Sequence, residues 1–279
     1  MTDKYAVIGN PIAHSKSPLI HEAFAKQTNQ DMSYERILVP LDGFEDKVRD
    51  LIEKGYKGIN VTVPFKFEAL KFVFANGVLN PLADRARAVN TILLNPNLIG
   101  DNTDGIGLVN DVTKNFEFSI RNKKVLVLGS GGAAFGVLQP LVNQNPMKLT
   151  ISNRDFAKAE VAVQLLSELI ETSQCTTICE AIKFEDLEGC EFDLVINATS
   201  IGLTDAALPI PNTIFAKGCL AYDMMYGRVT PFMKQAKENG AQVADGLGML
   251  VEQAAEAFYL WRGVRPKTQS VIQEIRNLA

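Results

Sequence analysis

Histidine is nearly missing from this 279-residue chain. His14 and His21 are the two it carries. Neither stands at ligand spacing from a cysteine or carboxylate, so a histidine zinc site and a histidine-based triad are both unsupported. Proton chemistry has to use other groups, and no metal site is expected. Cysteine is sparse as well: Cys175, Cys179, Cys190 and Cys219 form no CxxC pair, so reduced, buried thiols are expected. No apolar run is long enough to span a bilayer, and no low-complexity tract, long Gly/Ser/Pro linker or solenoid-period repeat is present. Positive charge is not in excess, with 28 Lys+Arg against 32 Asp+Glu and a net charge of -4. A phosphate polymer finds no basic field here, which argues against nucleic acid as a partner. The opening residues MTDKYAVIGNPIAHS lack the charged start and cleavage site of a secretion signal, so cytoplasmic residence is expected.

What is present is a globular composition, 47% hydrophobic and 22% charged. A chain of this length buries about three quarters of its unfolded surface, and a single core stops growing near this size. One large or two medium domains follow. Short β-rich runs alternate with helical patterns: KYAVIG then PLIHEAFAKQT, SYERILV then FEDKVRDLIEKG, GINVTV then FKFEALKFVFA, KVLVLG then AAFGVLQPLVNQ. That alternation predicts βαβ units with parallel sheets, an α/β fold. In FEDKVRDLIEKG, Phe44, Val48, Leu51 and Ile52 recur at helical spacing and Gly55 supplies the stop. The series breaks at residues 96–107, PNLIGDNTDGIG, where crowded Gly, Asn, Asp and Pro predict repeated turns and a domain boundary. A second βαβ series runs from KKVLVLG through KLTISN, DLVINA and CLAYDM to QVA. After Asp245-Gly246, LVEQAAEAFYLWRG and PKTQSVIQEIRNLA read as closing helices whose apolar faces need a sheet, with the N-terminal one as candidate. The expected domains are residues 1–103 plus 246–279, and residues 104–245.

Gly129-Ser130-Gly131-Gly132-Ala133-Ala134 follows the strand VLVL and opens a helix, matching G-x-G-x-x-G/A with Ala134 in third place. Gly129 permits a tight turn, and Gly131 and Gly132 let backbone N–H groups approach a pyrophosphate at a helix N-terminus. Any strand-to-helix turn can use glycine for backbone reasons, but the strand and helix flanks favour a dinucleotide. About 20 residues on, a fold that prefers NAD places an acidic residue for the ribose 2′-hydroxyl; Asn153 and Arg154 stand there instead. A guanidinium binds a 2′-phosphate bidentately, so NADP is the expected cofactor. Lys158 adds positive charge one helical turn on, while Asp155 could repel a phosphate or accept from a ribose hydroxyl.

Asn60-Val61-Thr62-Val63-Pro64-Phe65-Lys66 sets a lysine at a strand's carboxyl end, the edge where open α/β sheets form their crevice. Taken alone, such a lysine is more often a solvated surface charge. Residues 89–91, VNT, and 101–105, DNTDG, offer amides, hydroxyls and a carboxylate. If Lys66 and Asp104 meet, the carboxylate orients the ammonium and biases its protonation; otherwise Asp104 only shapes an Asp-Gly turn. Ser15 and Ser17 can donate to and accept from a carboxylate or polyol ligand, while Ser17 before Pro18 equally reads as a helix N-cap.

The segments GNPIAHSKSP, GINVTVPFK, AVNT, GDNTDGIG, GSGGA, NR, INATSIG, DMMY and GMLVEQAA occur in this order. Over nearly the whole length this resembles the shikimate dehydrogenase family. The resemblance implies an N-terminal α/β substrate-binding and catalytic domain, a Rossmann-type NADP-binding domain, and C-terminal helices that return to the first, with substrate between the two. It implies reversible NADPH-dependent reduction of 3-dehydroshikimate to shikimate, a step toward chorismate and the aromatic amino acids. By the same resemblance Lys66 is the acid/base and Asp104 its partner. Ser15, Ser17, Thr62, Asn90, Asp104, Tyr226 and Gln253 would hold the substrate's carboxylate and hydroxyls. Gly129, Ser130, Gly131, Gly132 and Ala133 would hold pyrophosphate, Asn153, Arg154 and Lys158 the adenosine phosphate, and Met224 and Gly248 would lie along the nicotinamide. From the residues alone, Met224 could be core, Tyr226 a packing aromatic and Gln253 a solvated helix position.

Three places depart from the family pattern. The family usually reads NRT where Asn153-Arg154-Asp155 stands, GAVNT where Arg87 precedes Ala88, and SxGM at Ser200-Ile201-Gly202-Leu203. Asp155 keeps an NAD-dependent quinate/shikimate dehydrogenase open as an alternative, and a non-catalytic nucleotide-binding regulator on the same fold is a second. Nothing in the sequence accounts for Arg87. A monomer or homodimer without a membrane partner is expected.

Overall fold

The computed structural model describes residues 2–171, 175–199, 201 and 206–278. The third departure, at Ser200, Gly202 and Leu203, lies outside the described residues. Two compact units divide the chain: Met1–Gly107 with Leu250–Ala279, and Leu108–Met249. Along the first run β1 (Asp3–Gly9), α1 (Ser17–Thr28), β2 (Met32–Leu38), α2 (Phe44–Glu53), β3 (Gly58–Val61), α3 (Lys66–Asn76), β4 (Val78–Leu79), α4 (Pro81–Ala86), β5 (Thr91–Leu93), β6 (Ile99–Asp101) and α5 (Asp104–Asn110). Then follow β7 (Lys124–Leu128), α6 (Gly132–Val142), β8 (Lys148–Ser152), α7 (Phe156–Glu171), β9 (Ile178–Ile182), β10 (Phe192–Asn197), β11 (Phe215–Asp223), α8 (Pro231–Glu238) and β12 (Gln242–Ala244). Helices α9 (Leu247–Arg262) and α10 (Gln269–Asn277) close the chain.

In the first unit the strand order is β2-β1-β3-β5-β6-β4. β1, β2 and β3 are mutually parallel, but β5 runs antiparallel to both β3 and β6. The βαβ alternation therefore foretold the first three strands and missed the reversal after α4. The stretch expected to be all turns instead contains β6 and the start of α5. Alternate side chains of β1 leave opposite faces, as the pleat requires. Ala6 and Ile8 join Val48 and Leu51 of α2 and Leu70 and Val73 of α3 in one core. On the other side Tyr5 meets Trp261 of α9 at 4.8 Å between ring centroids, and α10 packs against α1. The closing helices thus cover the N-terminal sheet, as their apolar faces predicted. α2 buries Phe44, Val48 and Leu51, whereas Ile52 is 37% exposed, since the helix ends one residue later.

The second unit has strand order β12-β11-β10-β7-β8-β9, all parallel, the doubly wound arrangement of a dinucleotide-binding fold. Val125 and Val127 of β7 face α6 and α7 through Val137, Leu141, Ala159 and Leu166. Leu126 and Leu128 face Phe232 and Ala236 of α8. Burial on both faces is why these strands read as unbroken apolar runs. All four cysteines are unbridged thiols; Cys219 is buried, but Cys175, Cys179 and Cys190 are half-buried, short of the burial expected. No helix among the described residues is long and apolar enough to cross a membrane.

Arg87 ends α4 with φ 51°, in the left-handed region, and its N–H bonds back to the carbonyls of Ala83 and Asp84. That is a helix-ending position at which glycine is the unstrained choice, which explains the glycine usual in the family.

Candidate active site

The antiparallel strand β5 gathers the first unit's polar side chains. Ile8 of β1 pairs with Val61 of β3, so the loops after both strands leave the same carboxyl edge. Those loops carry Ser15 and Thr62 and lead into Ser17 and Lys66, the first residues of α1 and α3. Because β5 runs the other way, Asn60 pairs with Thr91 and Thr91 with Asp101, so the start of β5 and the end of β6 reach that same edge. Asn90 and the Asn102–Asp104 segment are delivered there as a result.

Lys66, the first residue of α3, donates from Nζ to Asp104 Oδ2 at 2.5 Å. Asn90 Nδ2 donates to Asp104 Oδ1 at 2.7 Å, so each carboxylate oxygen has a partner. The turn itself is shaped by Asn102, whose Oδ1 accepts the Asp104 N–H at 3.1 Å. The turn-shaping role is thus taken by Asn102, and Asp104 is left for the ammonium. The lysine side chain keeps 30% exposure against 12% for the carboxylate, so the ammonium is open to solvent while its anchor is enclosed. Asn90, 3% exposed, is a hub: its Oδ1 accepts the Thr103 N–H at 2.9 Å. Gln253 of α9 lies at the edge of this group, its Oε1 3.5 Å from Asn90 Nδ2 and 3.4 Å from Thr103 Oγ1, so it is not simply a solvated helix position.

Ser15 and Ser17 face each other at 3.2 Å between hydroxyls, and Ser15 Oγ accepts the Ser17 N–H at 3.3 Å. Ser17 lies inside the first turn of α1 behind the cap residue Lys16, and no side chain caps that helix. The N-cap reading of Ser17 is therefore corrected: its position one residue into the helix takes its hydroxyl out of capping range. Thr62 is half-buried beside these loops.

In the second unit β7 leads into Gly129 at φ +104°, and α6 begins at Gly132. A Cβ on Gly131 or Gly132 would meet nothing within 4 Å, so their backbone is bare to solvent at a helix N-terminus. Ala133 is exposed beside them, and Ser130 Oγ is buried without a hydrogen-bond partner. Ala134 is fully buried and packs into the core under α6. β8 is the neighbour of β7, which sets Asn153, Arg154 and Lys158 beside this turn on the carboxyl edge. Arg154 is exposed and forms no ion pair among the described residues. Asp155 is spent on Lys158, at 3.5 Å. Bare amides, an unpartnered hydroxyl and a free guanidinium are the donor set that a pyrophosphate and a 2′-phosphate require.

Three family models match the chain in order: the shikimate dehydrogenase substrate binding domain over residues 7–92, shikimate / quinate 5-dehydrogenase over 111–203, and the shikimate 5'-dehydrogenase C-terminal domain over 246–276. The shikimate dehydrogenase (NADP(+)) of Methylobacillus flagellatus is 54% identical, covering 98% of this chain and 99% of that protein. The chain belongs to the shikimate dehydrogenase family. Among solved structures, an Ael1 enzyme from Pseudomonas putida matches with TM-score 0.91 at 44% identity, over 98% of both chains. The shikimate 5-dehydrogenase of Thermus thermophilus in complex with NADP(H) and shikimate matches with TM-score 0.86 at 30% identity, over all of both chains.

The remaining family positions lie in the second unit. Met224, after β11, donates its N–H to Asn197 O at 3.0 Å. Tyr226 is half-buried, and that burial raises its phenol pKa. Gly248 has a packing reason of its own: a Cβ there would lie 2.0 Å from Asp111 Oδ1, whose carboxylate also accepts from Tyr222 Oη at 2.6 Å. The sequence assigned no role to Asn60, Thr103 or Tyr34, and His21 was weighed only as a metal ligand or triad member. The available signal was a polar Asn60 inside the otherwise apolar run GINV, since buried polar groups need partners. His21 is fully buried, with its ring 4.2 Å from that of Tyr34 and 8° off parallel.

Proposed function

We propose that this chain catalyses the reversible NADPH-dependent reduction of 3-dehydroshikimate to shikimate, with Lys66 as the acid/base. The observation that carries the assignment of roles is the 2.5 Å contact from Lys66 Nζ to Asp104 Oδ2 with Asn90 on the other oxygen. A bound NADPH supplies a hydride to the carbonyl carbon. In the reductive direction the Lys66 ammonium gives its proton to the carbonyl oxygen, and the resulting amine regains one from solvent through its exposed side. In the oxidative direction the amine takes the hydroxyl proton. Asp104, anchored by Asn90 on its other oxygen, holds the Lys66 amino group in place. Ser15, Ser17, Thr62, Asn90, Tyr226 and Gln253 hold the carboxylate and hydroxyls of the ring.

Gly129 to Ala133 hold the pyrophosphate, Arg154 with Asn153 and Lys158 the adenosine 2′-phosphate, and Met224 and Gly248 flank the nicotinamide. Residues 1–103 with 246–279 serve as the substrate-binding and catalytic domain and residues 104–245 as the NADP-binding domain. The NAD-dependent quinate/shikimate alternative rests on Asp155, whose engagement with Lys158 leaves it less free for a ribose hydroxyl. A non-catalytic regulator has no use for a paired Lys66 and Asp104. Cytoplasmic residence and a monomeric or homodimeric state belong to the same reading, the second measurable by sedimentation.

The test is an absorbance assay of the purified chain with shikimate and NADP, then with NAD, then with quinate. Reduced nicotinamide forming with shikimate and NADP at a higher initial rate than in the other pairings supports the assignment. A flat trace from folded protein, or a faster rate with NAD, overturns it.

A further inference from the structure

We propose that Thr91, backed by Asn60 and Tyr34, is a positioning residue that supports the Asn90 amide in the orientation that holds Asp104 against Lys66. This rests on the reading of Lys66 and Asp104 as the catalytic pair. The side chains form a continuous line. Tyr34 Oη donates to Asn60 Oδ1 at 2.7 Å, and Asn60 Nδ2 donates to Thr91 Oγ1 at 3.0 Å. Thr91 Oγ1 donates to Asn90 Oδ1 at 2.9 Å, and Asn90 Nδ2 donates to Asp104 Oδ1 at 2.7 Å.

Main-chain groups at both ends decide the polarity. The Asn90 carbonyl can only accept, and Asn60 Nδ2 lies 3.3 Å from it, so Asn60 must turn its amide nitrogen inward and its oxygen toward Tyr34. The Thr103 N–H can only donate, and it meets Asn90 at 2.9 Å, so Asn90 must turn its oxygen there and its nitrogen toward Asp104. Thr91 joins the two amides. With its oxygen accepting from Asn60, its single proton is free to run forward to Asn90; the other acceptor in reach, Thr103 Oγ1, is farther at 3.3 Å.

Thr91 is fully buried, so it presents no surface to a ligand and acts through Asn90. At the far end the buried His21 ring lies against Tyr34 and restricts its phenol, with Trp261 6.3 Å away on centroids. Burial holds that phenol protonated, with its pKa well above the ordinary value, as a donor to Asn60 must be.

The experiment compares Thr91→Val, Thr91→Ser and Tyr34→Phe with the unaltered chain, measuring kcat and KM for shikimate at saturating NADP, and folding by thermal melt. Valine keeps the volume and removes the hydroxyl, leaving Asn60 Nδ2 and Asn90 Oδ1 each one partner short. Expected are a kcat lowered about tenfold or more in Thr91→Val, KM within about twofold, and recovery to near the original kcat in Thr91→Ser. A Thr91→Val kcat within twofold of the unaltered chain, or an equal loss in the serine variant, overturns the proposal. If the valine variant does not fold, Tyr34→Phe decides: a lowered kcat at unchanged KM supports the line of bonds, and an unchanged kcat overturns it. An unaltered chain that fails to oxidise shikimate is a failure of the functional reading, seen before any variant is compared.

Discussion

Replacing His21 with phenylalanine should make the first unit more resistant to acid. Burial among Tyr34, Phe24, Phe258 and Trp261 pulls the imidazole pKa down from 6.5 to about 3, with neighbouring Asn60 offsetting only part of the effect. Neither ring nitrogen has a hydrogen-bond partner. In the unfolded chain the same group titrates near its ordinary value. Between these two limits the unfolded state binds a proton that the folded state refuses, so stability falls as pH drops from about 6.5 toward about 3. At pH 4.5 the accumulated loss is about two pH units, or about 3 kcal/mol.

A phenylalanine keeps the ring stacking and carries no such proton. Trp261, the single tryptophan, has its ring centroid 5.4 Å from that of His21 and reports unfolding of this unit directly. Urea unfolding followed by its fluorescence at pH 7.5 and 4.5 gives four stabilities. Carboxylates titrate in both proteins and cancel in the difference. His21→Phe should lose about 3 kcal/mol less than the unaltered chain between the two pH values, a relative midpoint shift of about 1–3 M urea. Equal losses would refute the claim that this imidazole stays neutral in the folded chain.

Lys66→Ala should lower kcat by about 10²–10⁴ with a much smaller change in KM, because the proton moves only in the transition state; steady-state rates of shikimate oxidation check it. Arg87→Gly should raise stability by about 0.5–1 kcal/mol, since relief of the left-handed backbone outweighs the added freedom of the unfolded chain; urea midpoints for the two proteins measure it. Asp155→Asn should tighten NADP about two- to fivefold by releasing Lys158 from an exposed ion pair, and should shrink that gain at high salt; titrations of NADP at low and high ionic strength read both effects.

Local chemistry was enough to foretell much of this protein. Short β-rich runs followed by a helical period identified β1, β2, β3 and β7 with their helices, and the glycines before α6 marked a tight strand-to-helix turn, because strand, helix and turn preferences act within a few residues. Lys66 was legible for the same reason, as a charge at a strand's carboxyl end. What the sequence could not order was the sheet. Only the reversal at β5 brings Asn90 and Asp104 to the edge that carries Lys66, and strand pairing is a long-range choice that no local pattern encodes. Arg87 shows the same limit in one residue, standing in the sequence as a departure without a reason and revealed as strained at φ 51° only in the fold. Thr91 and Asn60 became meaningful only when pairing set them side by side, since a buried hydroxyl acquires a direction from the fixed donors and acceptors packed around it.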